Sequence, residues 1–276
     1  MGTFFQKDSH ENRTSTNTHV MNQARFERLC IEAATRGRTA GAYGFGTLAE
    51  KRLHAVIKKY ICDDESFHEV GIEGARFVSD IRIENEIVEV QTGAFYPMKK
   101  KIAYYMEKTN CTVTVVHPIA KVRYMSWVEP GSMEISPRRK VAGEREEDLL
   151  PELYCLSEHL GNPRLRFRLL LLEAHDFRML NGWSKDRKKG SDRYERLPLS
   201  LIDEIELNCP ADFERFLPDG LPEHFTVKDL SRLTKLRGRK AYSAVYALAA
   251  MGVITPAPPI GKAMAFFKKE KKWNFD

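Results

Sequence analysis

Two runs of alternating apolar and polar residues, separated by a short polar tip, constrain the fold of this chain more than any other feature. They lie in the stretch GARFVSDIRIENEIVEVQTG, residues 74–93, on either side of Glu84 and Asn85. An alternation with period two is typical of β-strands, and a two-residue polar tip favours a hairpin between them. The sequence therefore predicts an antiparallel strand pair that covers a core with one of its faces.

The predicted hairpin sorts its side chains onto two faces. Pairing around the tip sets residue 83 opposite 86, 82 opposite 87, 81 opposite 88 and 80 opposite 89. One face is apolar and consists of Ile81, Ile83, Val88 and Val90. The other face carries Asp80, Glu89 and Gln91, and a slip of the tip by one residue at each end, which would pair Asp80 with Gln91, leaves these three together.

The opposition of Asp80 and Glu89 has a chemical consequence. Opposed Cβ atoms in an antiparallel pair lie about 4.5 to 5.5 Å apart, so the two carboxylates repel each other unless a cation or a proton lies between them. A hard divalent cation such as Mg²⁺ relieves that repulsion and suits oxygen ligands. The alternative is that the polar residues form the solvated face of an amphipathic hairpin, and the sequence leaves both interpretations open.

The elements around the hairpin predict a mixed α/β core. A capped amphipathic helix over residues 47–61 precedes a strand over 67–73, and a helix that starts near Pro97 follows the hairpin. The β-branched run over residues 111–119 predicts another strand, and residues 122–136 predict a small hairpin. The predicted order is therefore helix, three strands, helix, strand and hairpin.

This pattern resembles the PD-(D/E)XK nuclease superfamily, which has the restriction-endonuclease-like fold. The signature of that superfamily is an acidic residue on one strand and Glu-x-Lys on the next. Here Asp80 is followed, after eight residues, by Glu89, Val90 and Gln91. The resemblance covers residues 45–120, and it implies a mixed sheet flanked by helices and Mg²⁺-dependent hydrolysis of phosphodiester bonds, with Mn²⁺ as a substitute metal.

The resemblance also implies roles for individual acidic residues. Asp80 and Glu89 would bind the metal ion, with the carbonyl of Val90 as a further ligand. Glu50 would be the extra acidic residue that many members carry on the first helix. The equally open alternative for Glu50 is an exposed carboxylate that pairs with a neighbouring basic residue, His54 or Lys51.

Gln91 is the main departure from the superfamily, because it stands where Lys is usual. Its amide can orient a water or a phosphate oxygen, so the resemblance keeps it among the catalytic residues, but it supplies no positive charge. The missing charge would come from the start of the next helix, from Lys99, Lys100 or Lys101.

The last third of the chain predicts a second, smaller and mostly helical module. Residues 210–269 have the order helix, helix, turn, helix, hairpin, which resembles a winged helix. From Val227 to Asp276 there are eleven Lys or Arg against three Asp or Glu, in a chain with a net charge of +6. Such an excess favours a polyanion, so DNA is the expected partner. The expected contacts lie at the start of the third helix: Arg237, Arg239, Lys240 and Tyr242.

Two other interpretations of this module stay open. Basic segments are common on solvated surfaces, so the positive charge would then have no specific partner. A winged helix also serves as a protein-binding module, which would make the chain an adaptor.

Residues 137–205 are expected to connect the two modules. They predict a basic loop followed by a helix, a long strand over residues 164–180 and a charged loop over 181–198. Three residues of the strand, Glu173, His175 and Asp176, are weak candidates for metal ligands because no partner motif accompanies them.

Composition and segment patterns bound the class of protein. The five cysteines are scattered along the 276 residues, which argues against a disulfide framework and against a structural zinc site. The chain shows no membrane-spanning run and no secretory signal, so a cytoplasmic protein without membrane contact is expected. Residues 1–20 are polar and expected to be disordered.

The sequence thus predicts a Mg²⁺-dependent DNA endonuclease of two domains. The nuclease-like domain spans residues 21–136, the connecting region 137–205 and the winged-helix-like DNA-binding domain 206–276. The alternatives are a non-catalytic DNA-binding regulator on a nuclease-like fold and a protein-binding adaptor. The oligomeric state is open, a homodimer included.

Overall fold

The computed structural model of the protein describes residues 10–36, 52–183 and 189–269. The helices in these ranges are α1 (His10–Arg36), α2 (Arg52–Ile61), α3 (Lys99–Lys108), α4 (Leu150–Leu153), α5 (Val227–Thr234) and α6 (Arg239–Ala250). The strands are β1 (His68–Gly71), β2 (Val78–Ile83), β3 (Glu86–Val90), β4 (Thr112–Val128), β5 (Arg139–Val141), β6 (Leu165–Trp183), β7 (Lys189–Leu207), β8 (His224–Thr226), β9 (Ile254–Ile260) and β10 (Ala263–Lys268). Short 3-10 turns cover Glu65–Phe67, Tyr96–Met98, Glu146–Leu149, Tyr154–Leu156 and Pro210–Phe216.

A large mixed sheet dominates the fold. Its strand order is β1-β2-β3-β4-β6-β7, and β5 pairs with β4. The pairs β1–β2, β2–β3 and β4–β5 are antiparallel, whereas β3 and β4 run parallel. The protein is therefore mixed α/β with helices flanking the sheet, and the predicted order of helix, three strands, helix and strand is confirmed from residue 52 onward.

The hairpin of β2 and β3 has the predicted register. Ile81 pairs with Val88, Arg82 with Ile87 and Ile83 with Glu86. Glu84 begins the two-residue tip with a φ of 48°, a left-handed conformation that costs energy for a residue with a Cβ. Every residue of β3 after Glu86 is buried, so both of its faces pack against protein.

The parallel pairing of β3 with β4 requires a crossover, and α3 supplies it. The helix buries Ile102, Tyr105 and Met106. Its C-terminal end is held by Arg164, whose guanidinium donates hydrogen bonds to the carbonyl oxygens of Met106 (2.6 Å), Thr109 (2.7 Å) and Cys111 (3.1 Å). Three carbonyls in and just after the last turn of the helix thus accept hydrogen bonds from one charged group.

Strand β4 is longer than predicted. It continues from the expected strand into the first arm of the expected small hairpin, over 17 residues. Residues 112–116 pair with β3, and residues 123–125 pair with β5, so the second half of β4 has a hydrogen-bonding partner of its own. The turn lies where predicted, because Val128 bridges Ile135 across it.

The prediction of a charged loop over residues 181–198 is wrong for the described part of this segment, which is β-strand. Strand β6 extends to Trp183 and β7 begins at Lys189. The physical reason is a buried ion pair: the guanidinium of Arg196 donates to both carboxylate oxygens of Asp176, at 2.5 and 3.0 Å. Asp176 therefore has a structural partner, and His175 contacts the Ser126 hydroxyl at 3.0 Å.

Helix α1 begins inside the segment that was expected to be disordered. Residues 10–20, expected to be disordered, are helical, and residues 1–9 lie outside the described residues. Phe26 is fully buried and packs edge-on against Tyr60 of α2, with ring centroids 5.1 Å apart. This contact anchors α1, and a formed helix extends with one hydrogen bond for each residue added.

The connecting region before β6 contains short helical turns in place of a single helix. Helix α4 has four residues and lies between two 3-10 turns. Pro151 stands at its start, where a missing N–H costs no hydrogen bond.

The C-terminal elements follow the predicted order of helix, helix, turn, helix and hairpin, although the first is a 3-10 turn. Thr226 caps α5: its Oγ1 accepts from the Asp229 amide (3.3 Å), and Asp229 accepts from the Thr226 amide (2.9 Å). Strand β8 joins the hairpin to give a three-stranded sheet of order β8-β10-β9.

The chain divides into two compact units. The first contains the described residues up to 65, 120–143 and 170–204, and the second contains 66–119, 144–169 and the described residues from 205 onward. The second unit holds both the β2–β3 hairpin and the C-terminal module. The predicted division into domains at residues 136 and 205 stays a prediction.

Candidate functional site

Glu89 of β3 is the centre of the candidate site. Its side chain is buried, with 5% of the residue exposed. The Tyr105 hydroxyl donates a hydrogen bond to Oε1 at 2.9 Å, and the Lys101 ammonium donates to Oε2 at 2.5 Å. Lys101 and Tyr105 are four residues apart on α3, so they project from the same face of the helix. The alternative of a solvated polar face is therefore wrong for Glu89.

The surroundings of Glu89 favour its protonated form. Burial is the main cause that raises the pKa of Glu89 from 4.5 to about 7, and the negative charge of Asp80 raises it further. The positive charge of Lys101 and the hydrogen bonds from Lys101 and Tyr105 act in the opposite direction. Burial, followed by the charge of Glu89, also raises the pKa of the Tyr105 hydroxyl. The site thus holds an acid that titrates near neutral pH.

Asp80 lies beside Glu89 on the neighbouring strand β2. Its Oδ2 accepts a hydrogen bond from the Val90 amide at 2.7 Å, which ties the side chain to the next strand. The pairing of Ile81 with Val88 places Asp80 next to Glu89 on the neighbouring strand. After burial, the negative charge of Asp80 is a further cause that raises the pKa of Glu89. The structure therefore brings the two predicted metal ligands together.

Gln91 lies at the end of β3 and anchors the loop that follows. Its side-chain amide donates to the Ala94 carbonyl at 2.5 Å, and its backbone amide donates to the Val116 carbonyl at 2.9 Å. The Gln91 carbonyl lies 2.6 Å from Nδ1 of His117. A carbonyl only accepts, so Nδ1 carries a proton in this arrangement.

The structure distinguishes among the three lysines that could supply positive charge. Lys101 contacts Glu89, whereas Lys99 forms an ion pair with Glu158 at 3.4 Å and Lys100 is exposed. The sequence narrowed the choice to these three but could not select one, because the selection depends on where α3 begins. Tyr105 was missed, although its spacing of four residues from Lys101 was a usable signal.

A series of aromatic contacts extends from the site into the rest of the second unit. The ring of Phe95 meets His117 edge-on at 5.1 Å and stacks on Phe167 at 6.4 Å. Phe167 in turn meets Phe213 edge-on at 6.0 Å. The carboxylate of Glu152 accepts a hydrogen bond from the Phe95 amide at 3.1 Å. The loop after β3 is thus fixed by residues from three separate segments of the chain.

Few side chains that could bind a metal ion lie close together in the part of the chain that the structure describes. No group of three or more His, Cys, Asp or Glu side chains there could hold a metal. Glu50, predicted as an extra acidic residue, lies outside the described residues. A metal at this site would therefore rely on Asp80, Glu89 and the backbone.

The predicted nucleic-acid contacts all lie on the surface at the N-terminal end of α6. The exposed residues are Arg237, Arg239, Lys240 and Tyr242. Arg237, Arg239 and Lys240 form no ion pair within the described residues. The basic tail from residue 270 onward lies outside them. Among the described helices, none combines the length and apolarity that crossing a membrane requires.

The fold and these side chains define a mixed α/β protein with a buried carboxylate site. Residues 51–208, more than half of the chain, match the family described as Domain of unknown function (DUF8091). The chain belongs to this family. The match includes Asp80, Glu89 and Lys101, whereas α5 and α6 lie beyond it. No curated protein and no solved structure matches the chain.

Proposed function

We propose that this protein is a Mg²⁺-dependent deoxyribonuclease of the restriction-endonuclease-like type, which hydrolyses DNA phosphodiester bonds at Asp80 and Glu89. One observation carries this proposal: a buried carboxylate, Glu89, lies beside a second carboxylate and within hydrogen-bonding distance of the Lys101 ammonium. Two acids on neighbouring strands and a lysine from the following helix are the groups that such a reaction needs.

The carboxylates fit a divalent metal ion. Burial, and after it the negative charge of Asp80, raises the pKa of Glu89, and a divalent cation would relieve the repulsion between the two carboxylates. Asp80, Glu89 and the carbonyl of Val90 offer the oxygen ligands that Mg²⁺ prefers, and Mn²⁺ would substitute. A bound Mg²⁺ would supply Lewis acidity toward phosphate and lower the pKa of a coordinated water.

Lys101 supplies the positive charge that Gln91 cannot. Its attraction for Glu89 lowers the pKa of that carboxyl and so favours the ionised form that binds a cation. The Lys101 side chain is 20% exposed, so part of it is in contact with solvent. Gln91 holds the loop after β3 in place, which is a positioning role.

The C-terminal winged-helix-like module would deliver the DNA. Arg239 and Lys240 begin α6, where backbone N–H groups also favour anions. These cations are exposed and have no ion-pair partner within the described residues, so they are available to phosphates.

A second candidate function is DNA binding without catalysis. Both carboxylate oxygens of Glu89 already have protein partners, Tyr105 and Lys101, as in a structural buried ion pair. Such a protein would bind DNA and leave it intact whatever metal is present.

A cleavage assay separates the two candidates. Purified protein is incubated with supercoiled plasmid and with labelled oligonucleotides in Mg²⁺, in Mn²⁺ and in EDTA, alongside Asp80→Asn, Glu89→Gln and Lys101→Met. The proposal expects cleavage that requires the metal and falls by at least about a hundredfold in each variant. Lys100→Met is the matched control, because it removes the neighbouring lysine from the same helix, and it should cleave normally.

Two results would contradict the proposal. Cleavage that persists undiminished in Asp80→Asn and Glu89→Gln would exclude this site. Normal DNA binding without cleavage in any metal would favour the non-catalytic regulator.

A further inference from the structure

The outward side of α6 carries exposed aromatic residues. The exposed positions of this helix include 239, 242, 246 and 250, which share one face. Tyr242 is 50% exposed and Tyr246, one turn further along, is 42% exposed. The opposite side of the helix is packed into the core through Ala241, Ala244, Val245, Ala247 and Leu248. The two tyrosines are therefore surface residues that core packing does not explain.

Two side chains from other elements extend this aromatic face. The ring of Tyr154 lies 5.9 Å from the ring of Tyr246, and the sulfur of Met264 lies 4.0 Å from the Tyr246 hydroxyl. Tyr154 is 47% exposed and Met264 is 46% exposed. We refer to Tyr154, Tyr242, Tyr246 and Met264 as the tyrosine surface. An exposed surface of this kind usually marks a binding site.

The sequence of α6 and the β9–β10 hairpin carries charge of one sign. Residues 230–269 contain no Asp or Glu. The same stretch has eight basic residues: Arg232, Lys235, Arg237, Arg239, Lys240, Lys262, Lys268 and Lys269. The ligand that complements this stretch combines planar apolar groups with negative charge, as a nucleic-acid strand does.

The state of the bases in that strand follows from the geometry of DNA. In a duplex the base faces are stacked on each other, and only their edges are accessible in the grooves. Away from the ends of a duplex, a ring such as Tyr246 can stack on a base face only where the base is unpaired. Exposed tyrosines therefore select single-stranded DNA, whereas the lysines and arginines contact phosphates of either form.

We propose that the tyrosine surface binds unpaired bases, so that the substrate class of this protein is DNA with a single-stranded segment. This inference rests on the proposed function in that DNA is the ligand, but it does not require cleavage. It extends the DNA contacts beyond Arg237, Arg239, Lys240 and Tyr242 to Tyr154, Tyr246 and Met264.

Binding in EDTA tests this inference separately from cleavage. Fluorescence anisotropy of the full chain is measured with an oligothymidine strand, a blunt duplex and the same duplex with a single-stranded tail. Tyr154→Leu and Tyr246→Leu should each weaken binding of the single strand and of the tailed duplex by about five- to a hundredfold, and leave the blunt duplex unaffected. The control is Phe67→Leu, which removes an exposed ring from another element and should bind all three DNAs normally.

A second variant and a second measurement keep the test decisive if Tyr246→Leu is unstable. Tyr242→Leu changes a half-exposed ring on the same face and should show the same selective loss. Photocrosslinking of an iodouracil-containing single strand should label a tyrosine of this surface, as identified by mass spectrometry.

Three results of these binding measurements would overturn the inference. Two of them are an equal loss of affinity for all three DNAs and an unchanged affinity in every tyrosine variant. The third is a change of oligomeric state in the variants, which would assign the surface to self-association. A selective loss of affinity for the single strand and the tailed duplex, without any cleavage in Mg²⁺, would refute the nuclease and leave the inference standing. Cleavage of blunt duplex without a preference for single strands would refute the inference and leave the nuclease standing.

Discussion

The ionisation of Glu89 couples the stability of this protein to pH, and Glu89→Gln should remove that coupling. Burial raises the pKa of Glu89 in the folded protein to about 7, against an ordinary value of 4.5. At 1.36 kcal/mol for each pH unit, this difference corresponds to about 3 kcal/mol of unfolding free energy. Because the residue is 5% exposed, solvent screens little of this effect.

The direction in which stability changes with pH depends on whether the folded or the unfolded state binds the Glu89 proton more tightly. The folded protein holds the Glu89 proton more tightly than the unfolded chain, so the stability that this group contributes is full below pH 4.5. It declines as the pH rises and is lost by about pH 7. Relative to Glu89→Gln, the wild type should therefore lose about 3 kcal/mol across this window and stay constant above it.

Urea unfolding in EDTA, followed by circular dichroism at intervals from pH 4.5 to 8, measures this difference. The matched control is Glu86→Gln, which removes an exposed carboxylate from the same strand and should follow the wild type. The reasoning is refuted if the difference between wild type and Glu89→Gln is the same at every pH, or if the wild type gains relative stability as the pH rises.

Two further predictions test other parts of the structure. Arg239→Ala or Lys240→Ala should reduce the slope of log affinity for DNA against log salt by about one for each lost phosphate contact, and an unchanged slope would remove that residue from the interface. Arg164→Ala, which deletes three hydrogen bonds to carbonyls at the end of α3, should lower the unfolding free energy in urea by about 3 kcal/mol. Arg166→Ala, an exposed neighbour, should cost far less, and equal losses would show that the carbonyl contacts are unimportant.

The local pattern was sufficient to predict several elements. The register of the β2–β3 hairpin follows from alternation around Glu84 and Asn85, since a shift by one residue would expose Ile81 and bury polar side chains. Thr226 was identifiable as a helix cap because Asp229 stands three residues later. Signals of this kind depend only on residues close together in the sequence.

Contacts between distant residues were not predictable in the same way. The charges of residues 181–198 indicate a solvated loop, and nothing nearby reveals that Arg196 is neutralised by Asp176 across the sheet. The burial of Glu89 has the same origin, because it depends on where α3 places Lys101 and Tyr105. The sequence thus identified the acidic residues of the site but not the groups that control their protonation.

The aromatic series Phe95–Phe167–Phe213 has a consequence for the order in which the protein folds. These rings come from three stretches of chain, and the last is synthesised more than a hundred residues after the first. Contacts between residues so far apart in the sequence form late, because the intervening chain loses conformational entropy before the contact can stabilise the fold. On a ribosome, the hairpin that carries Asp80 and Glu89 therefore waits for the C-terminal residues before its surroundings are complete.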